Sequence, residues 1–169
     1  QCAPYIGFPK TLNAIDIANG VFEANGISLP LENAGTVDAT DPSAREQAGA
    51  AIQAPLYGNE AKEVFSALPK PFDEFVPHLL TSSAFGDFAT RGGLDVAQRE
   101  LISLVAIAAI GATTQLRPHV AGAIRAGSSR QKVAAALVQV MPYIGGPYAL
   151  SGLVLVARYD ESASAEAYR

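Results

Sequence analysis

A glutamate and a histidine, Glu100 and His119, are the residues best placed for chemistry in this sequence. Glu100 lies at the head of a predicted helix that is otherwise apolar, where the positive end of the helix dipole stabilises a carboxylate. His119 follows Pro118, and because proline cannot donate a hydrogen bond to the preceding turn, we expect a helix to start or kink there. Near a helix N-terminus an imidazole stays neutral at pH 7 and can accept or relay a proton. The two residues therefore predict general acid–base chemistry.

Both residues also have a structural interpretation, which the sequence leaves open. Glu100 would then be solvated in the first turn of its helix, and His119 would be a hydrogen-bonded residue beside an apolar face. The two helices form a hairpin around Gly111, so their far ends lie apart and the two side chains need not touch within it. A ligand-sized gap between them is one alternative, and a contact completed by another helix or subunit is the other.

The composition excludes several classes of protein. The 169 residues suffice for one domain of ordinary size, and 49% of them are apolar against 17% charged, which excludes disorder as the main state. With a formal net charge of −4, the chain lacks the excess of basic residues that is typical of nucleic-acid-binding proteins. The longest apolar stretch, Leu104 to Ala112, is far shorter than the ~20 residues that span a membrane. Neither nucleic acid nor a membrane is therefore expected as a partner.

The single cysteine, Cys2, limits the chemistry further. One thiol excludes an intrachain disulfide, a multi-thiolate metal site and a C-x-x-C redox pair. With only two histidines beside it, no metal site is expected, and no dinucleotide, phosphate-loop, zinc-protease or nucleophile-elbow motif is present. His78, the second histidine, is interpreted as structural. The chain has no secretory signal and does not begin with Met, so we expect a processed product or a fragment with a cytoplasmic location.

An internal repeat organises the chain. Residues 4–12 recur as residues 142–150 at an offset of 138, with Pro-Tyr-Ile-Gly in both copies and a second proline at the start of the helix that follows. The chain is therefore expected to begin near the end of one repeat and to continue through a complete second one. The predicted units are the closing helix of an incomplete repeat over 1–26, a linker over 27–40, a complete unit over 41–160 and a frayed tail over 161–169.

The remaining patterns predict an all-α fold. Asp95 and Gln98 form a predicted capping box before a helix that is apolar nearly all round, which is typical of the centre of a bundle. Glycines and prolines mark the ends and starts of the other predicted helices. The predicted helices cover 10–24, a segment from Asp41, then 59–67, 71–88, 96–110, 115–126, a segment capped by Ser128 or Ser129 that reaches 140, and 147–158.

These motifs resemble the carboxymuconolactone decarboxylase family, whose fold is shared by the alkylhydroperoxidase D-type proteins. The resemblance covers residues 45–160 as one complete helical unit and implies an all-α bundle. It is carried by Arg45-Glu46-Gln47-Ala48-Gly49, Phe85-Gly86, Arg91 to Asp95, Arg99-Glu100-Leu101, the apolar run to Gly111, Gln115-Leu116-Arg117-Pro118-His119, Gly127 and Pro142 to Pro147.

The resemblance also separates two chemical branches. In the peroxidase branch a C-x-x-C pair lies between the glutamate and the histidine, and those positions fall here on Ala112 and Gln115, which have no thiol. The decarboxylase branch needs neither a thiol nor a cofactor. It implies His119 as acid–base residue and Glu100 as its orienting or proton-sharing partner.

Further residues are candidates for binding the substrate. Arg117 and Arg99, with Arg91 as another option, could bind a carboxylate in bidentate fashion, although each could equally be a surface charge at a helix end. Tyr143 could donate a hydrogen bond to a ligand, with packing in a groove as the alternative. In a decarboxylase, these residues would bind a small carboxylated substrate.

The expected function is thus a cofactor-free decarboxylase acting on a small carboxylated lactone of the 4-carboxymuconolactone type. One alternative is a non-catalytic ligand-binding or assembly subunit, because the first repeat is incomplete. The other is an antioxidant protein without its thiol pair. The resemblance further implies a homo-oligomer, a trimer or a hexamer.

Overall fold

Every regular element of the structure is a helix. The computed structural model describes residues 1–38 and 40–160, without the side chains of residues 60 and 61, and no strand occurs among these residues. The predicted tail 161–169 lies outside the described residues. The elements are α1 (Ala3–Ile6), α2 (Phe8–Ala24), α3 (Pro42–Tyr57), α4 (Glu60–Phe65), α5 (Phe72–Leu79), a π-helix (Leu80–Ala89), α6 (Val96–Ala109), α7 (Thr113–Arg125), α8 (Arg130–Ile144) and α9 (Gly146–Ala157). The predicted all-α class is confirmed.

Capping side chains start three of these helices as the sequence predicts. The Asp41 carboxylate accepts hydrogen bonds from the first backbone N–H groups of α3. Asp95 and Gln98 form the complete capping box at the start of α6. Ser129 accepts from the Lys132 N–H and so starts α8. Each cap pairs an N–H group that the helix itself leaves without a partner.

The helix predicted over 71–88 has two parts with different hydrogen bonding. It begins as α5 and continues as the π-helix, whose backbone bonds span five residues instead of four. Hydroxyl groups of this region occupy the carbonyls four residues back: Thr81 donates to Pro77 at 3.0 Å and Ser82 to His78 at 2.8 Å. Because side chains take up these carbonyls, they compete with the ordinary helical pattern.

The π-helix packs against α3 at backbone-to-backbone distance. A Cβ atom on Gly49 would lie 2.1 Å from the Thr81 carbonyl oxygen, and one on Gly86 would lie 2.4 Å from that of Arg45. Both glycines are thus required by the close approach of the two backbones. The Arg45 guanidinium closes the same contact with two hydrogen bonds to the Asp87 carboxylate.

The main core surrounds α6, which contacts α7, α8, α9 and α1. The predicted central position of this helix is confirmed, since Leu104 and Ala108 have no exposed surface. A smaller core lies between α3 and the π-helix. The buried residues of the main core are Leu104, Ile107, Ala108, Leu116, Val120, Ala123, Val133, Leu137 and Val156.

The two copies of the repeated motif form the same turn. Gly7 has φ 83° and ψ 155°, and Gly145 has φ 88° and ψ 150°, a conformation that favours glycine. Their surroundings differ. The first copy packs on α6 through α1, whereas Tyr143 of the second copy is 82% exposed. The helix after the first copy, α2, has no buried residue, while α9 after the second copy packs on α7 and α8.

In the part of the chain that the structure describes, none of the helices has both the length and the apolar character that a membrane crossing requires.

The glycine contact between α3 and the π-helix gives a stability prediction. We expect Gly49→Ala or Gly86→Ala to lower the free energy of unfolding by about 2–4 kcal/mol, because the new Cβ atom would overlap a backbone oxygen that cannot move independently. Urea unfolding followed by circular dichroism measures the change.

Gly20→Ala is the matched control, because an added Cβ on Gly20 would meet nothing within 4 Å. Alanine is also the better helix former, so the control should leave the stability unchanged or raise it slightly. Equal losses in all three variants would show that the close approach does not limit the fold.

Candidate active site

Helices α6 and α7 bring the predicted acid–base pair together within one chain. The His119 Nδ1 atom lies 3.5 Å from Glu100 Oε2, and the two side chains are only 13% and 4% exposed. The hairpin around Gly111 therefore places the two side chains next to each other. Neither a ligand-sized gap nor a second subunit is needed for the contact.

A third helix contributes a residue that the sequence analysis missed. Tyr57, the last residue of α3, donates its phenol proton toward Glu100 Oε2, and its Oη atom lies 2.8 Å from His119 Nδ1. The Tyr57 side chain is buried and packs its ring 5.7 Å from that of Phe85. Its position in the sequence carried no signal, because it stands 43 residues before Glu100 in a different helix.

Gly122 on α7 provides the space in which these groups meet. A Cβ atom there would lie 2.5 Å from Tyr57 Oη and 3.0 Å from Glu100 Oε2. Since Gly122 is one helical turn beyond His119, it lies on the same face of α7. Only a residue without a side chain allows the hydroxyl to reach between the carboxylate and the imidazole.

The first copy of the repeat contributes a second tyrosine to the site. The Tyr5 ring meets the His119 ring edge to face at 5.5 Å, and its hydroxyl is hydrogen-bonded to the Ser103 side chain. Burial raises the pKa of Tyr5 to about 12, the Ser103 hydrogen bond opposes this shift, and the nearby Glu100 charge adds to it. Tyr5 is thus a neutral packing residue beside the imidazole.

The predicted environment of His119 needs a correction. α7 begins at Thr113 and runs through Pro118, so no new helix starts there, and His119 lies about two turns inside the helix. The effect of the helix dipole, which falls off within the first turn, is therefore weak at the imidazole. The polar neighbours of the His119 ring are Tyr57 and Glu100.

Arg99, predicted to bind substrate, is buried and occupied by backbone carbonyls. Its guanidinium donates to the carbonyls of Phe88 at 3.0 Å and Gly92 at 3.0 Å, to that of Arg91, and to the Gln1 side chain at 3.1 Å. Burial lowers the pKa of Arg99, and the charge of Arg91 lowers it further. These bonds hold the loop between the π-helix and α6, so the structure gives Arg99 a structural role.

The other predicted binding residues are exposed and lie away from the acid–base pair. Arg117 is two positions before His119 on α7, and residues two apart do not share a helix face. Arg91 is exposed and donates to Asn33 at 3.3 Å. Tyr143 borders an apolar groove of about 550 Å³ between α6 and α8. The structure does not bring any of these three to Glu100 and His119.

A larger cleft of about 890 Å³ lies between α3, α4 and α5. His78 borders this cleft and pairs with Glu46 at 3.1 Å, and none of the three residues of the acid–base cluster lines it. Among the described residues, no group of three or more His, Cys, Asp or Glu side chains could hold a metal ion. The chemistry available to the cluster is thus proton transfer among a carboxylate, a phenol and an imidazole.

The raised pKa of Tyr5 predicts a loss of stability at alkaline pH. The unfolded Tyr5 ionises near pH 10, whereas the folded residue ionises near pH 12, so the folded protein binds more protons between these values. The stabilisation is fully present below pH 10 and is lost as the pH rises toward 12. We expect Tyr5→Phe to flatten this loss by up to about 1.4 kcal/mol per pH unit, measured by urea unfolding.

Tyr143→Phe is the matched control for this measurement, because the Tyr143 ring is exposed. It should retain the slope of the unaltered protein. A Tyr5→Phe variant with that same slope would contradict the assigned burial of the phenol.

Residues 76–158 match the sequence model of the carboxymuconolactone decarboxylase family. The match contains α6 and α7 with Glu100 and His119, and it is shorter than the stretch 45–160 on which the sequence resemblance was based. Tyr57 and Tyr5 lie outside it. None of the curated proteins matches the chain.

Proposed function

We propose that this protein is a decarboxylase of small carboxylated lactones, with His119 and Glu100 as its acid–base pair, because residues 76–158 match the sequence model of the carboxymuconolactone decarboxylase family. The observation that supports this most directly is the contact of the two side chains, buried, at 3.5 Å. Burial increases the strength of such electrostatic interactions, and the Tyr57 hydroxyl lies within hydrogen-bond reach of both side chains.

The reaction places a simple demand on the site. When CO2 leaves a carboxylated butenolide, the electron pair of the breaking C–C bond moves into the conjugated lactone carbonyl. The dienolate that forms then takes up a proton at carbon. His119 is the proposed proton donor, and Glu100 is proposed to share the proton and to orient the imidazole. This chemistry uses side chains of the chain itself and calls on no added cofactor.

Two residues that lie between Glu100 and His119 in the sequence favour the decarboxylase branch over peroxide reduction. Ala112 and Gln115 occupy the positions of the paired thiols in the peroxidase branch, so no thiolate can attack a peroxide there. Carboxylate binding by Arg117 is not part of the proposal, because Arg117 and His119 are two positions apart on α7 and do not share a helix face. Arg99 is left out of this role, because carbonyl groups occupy its donors.

Exposed apolar residues on α2 favour a second candidate, a subunit that assembles with further copies of itself. Phe8, Leu12 and Ile15 are 64%, 61% and 47% exposed and lie on one face of α2. Large apolar side chains grouped on an exposed helix face are typical of protein–protein contacts. A homo-oligomer, trimeric or hexameric, is compatible with either function.

The decarboxylase proposal is tested with 4-carboxymuconolactone, by CO2 release and loss of ultraviolet absorbance. We expect turnover by the unaltered protein and a loss of about 10²–10⁴-fold in His119→Ala, because the proton donor is removed. His78→Ala is the matched control, since it removes the other histidine of the chain and should retain full turnover.

Two outcomes would contradict the proposal. Full turnover by His119→Ala would remove the histidine from the chemistry. A folded, oligomeric protein with no turnover would reject the lactone substrate and leave the assembly or ligand-binding candidate.

Self-association is tested by light scattering coupled to size-exclusion chromatography. We expect a trimer or a hexamer, and we expect Ile15→Asp to shift the distribution toward smaller species, because it places a charge on the apolar face of α2. Asn13→Asp adds the same charge at an exposed polar position of that helix and should not alter the distribution. A stable monomer of the unaltered protein would contradict assembly altogether.

A further inference from the structure

We propose that Tyr57 is a positioning residue that connects Glu100 to His119, fixes the tautomer of the imidazole and relays protons between the two. In this arrangement His119 Nδ1 faces the relay, and Nε2 is the nitrogen that exchanges a proton with the substrate. The chemical role of Nε2 rests on the proposed function. The relay itself can be tested without any substrate.

The direction of each hydrogen bond among Glu100, Tyr57 and His119 follows from the number of protons that these groups carry. A phenol has one proton to donate, and an ionised carboxylate can only accept. With Glu100 ionised, Tyr57 must therefore donate to Oε2, and its oxygen is left to accept from His119. Nδ1 at 2.8 Å must then carry a proton. In a neutral imidazole this leaves the lone pair on Nε2, since the bond made by one ring nitrogen determines the state of the other.

The same three groups have a second arrangement with every bond reversed. If Glu100 is protonated, it donates to Tyr57, Tyr57 donates to Nδ1, and Nε2 carries the proton. The first arrangement becomes the second when one proton is added at Nε2 of His119. One proton moves from Nδ1 to the phenol oxygen, and the phenol proton moves to the carboxylate. Atoms balance, and the imidazole is neutral at both ends of the process.

Because the site is buried, a route that keeps the imidazole neutral is favoured over one in which His119 alone takes up the proton and becomes charged. An imidazolium inside the protein loses its hydration, which costs free energy unless a partner compensates it. Glu100 could compensate it only from 3.5 Å, beyond a good hydrogen bond, whereas Tyr57 lies within hydrogen-bond distance of both groups. The phenol thus couples the carboxylate to the imidazole without requiring the two to touch.

The surrounding structure holds the phenol in place. Tyr57 ends α3, which the glycine contact fixes against the π-helix, and its ring packs on Phe85 from that π-helix. Gly122 leaves the space that the hydroxyl occupies. The Arg125 side chain donates to the Leu56 carbonyl at 2.7 Å and so joins the end of α3 to α7. These contacts fix the position of the hydroxyl relative to His119.

In the decarboxylation, the second arrangement is the proton donor. CO2 departs, the dienolate carbon takes the proton from Nε2, and one proton each returns from Glu100 to Tyr57 and from Tyr57 to Nδ1. This regenerates the first arrangement with Glu100 ionised. A proton from solvent then restores the donor state.

The relay is tested by 15N NMR of the imidazole nitrogens in the intact protein, whose two histidines give a simple spectrum. The spectra of the unaltered protein, Tyr57→Phe, Glu100→Gln and the double variant form a thermodynamic cycle. We expect His119 to be protonated at Nδ1 in the unaltered protein. Glu100→Gln should move protonation toward Nε2, because an amide can donate to Tyr57, and this effect should be lost in the Y57F background.

Tyr5→Phe is the matched control, because it removes a hydroxyl from the other ring that contacts His119. In that background Glu100→Gln should act as it does in the unaltered protein. An equal effect of Glu100→Gln with and without the Tyr57 hydroxyl would overturn the relay, as would a His119 protonated at Nε2 in the unaltered protein.

Turnover supplies a separate readout. We expect Tyr57→Phe to lower kcat about 10–100-fold with little change in KM, because the ring and its packing are retained. Absence of lactone turnover in the unaltered protein would reject the proposed function, and the NMR cycle would still decide whether the relay exists.

Discussion

The geometry of the site depends on how closely two backbones approach each other. Gly49 and Gly86 allow α3 to lie directly against the π-helix, and any larger residue at either position would separate them. Because the end of α3 carries Tyr57, a separation of a fraction of an ångström there would move the phenol away from its partners. Hydrogen bonds are sensitive to displacements of this size. The contact of Tyr57 with Glu100 and His119 thus depends on a packing contact outside α6 and α7.

The buried side chains of Arg99, Glu100 and His119 are paired in two different ways. Arg99 keeps its charge and donates to several backbone carbonyls of one loop, so its burial contributes to the shape of the chain. Glu100 and His119 are buried among groups that can exchange protons. The first arrangement suits a fixed structure, and the second suits a reaction. Two neighbouring charged residues at the start of α6 are thus buried by different means.

The sequence predicted the elements better than the contacts between them. Caps and glycine stops are local signals, so the helix starts at Asp41, Asp95 and Ser129 could be read directly. The pairing of Glu100 with His119 was one of several open alternatives, because it depends on how a hairpin packs. Tyr57 could not be found, since a tyrosine at the end of a helix has no signature until another helix packs beside it. Arg99 was misassigned because spacing does not reveal which groups a guanidinium meets.

The repeated turn has a consequence for how the chain tolerates sequence change. Gly7 and Gly145 adopt one backbone conformation, and the tyrosine two residues earlier is enclosed in the first copy and open to solvent in the second. Mutation should therefore find the two glycines equally intolerant and the two tyrosines unequal. Change at the two glycines is thus limited by the backbone that they share in shape, while change at the two tyrosines is limited by their separate neighbours.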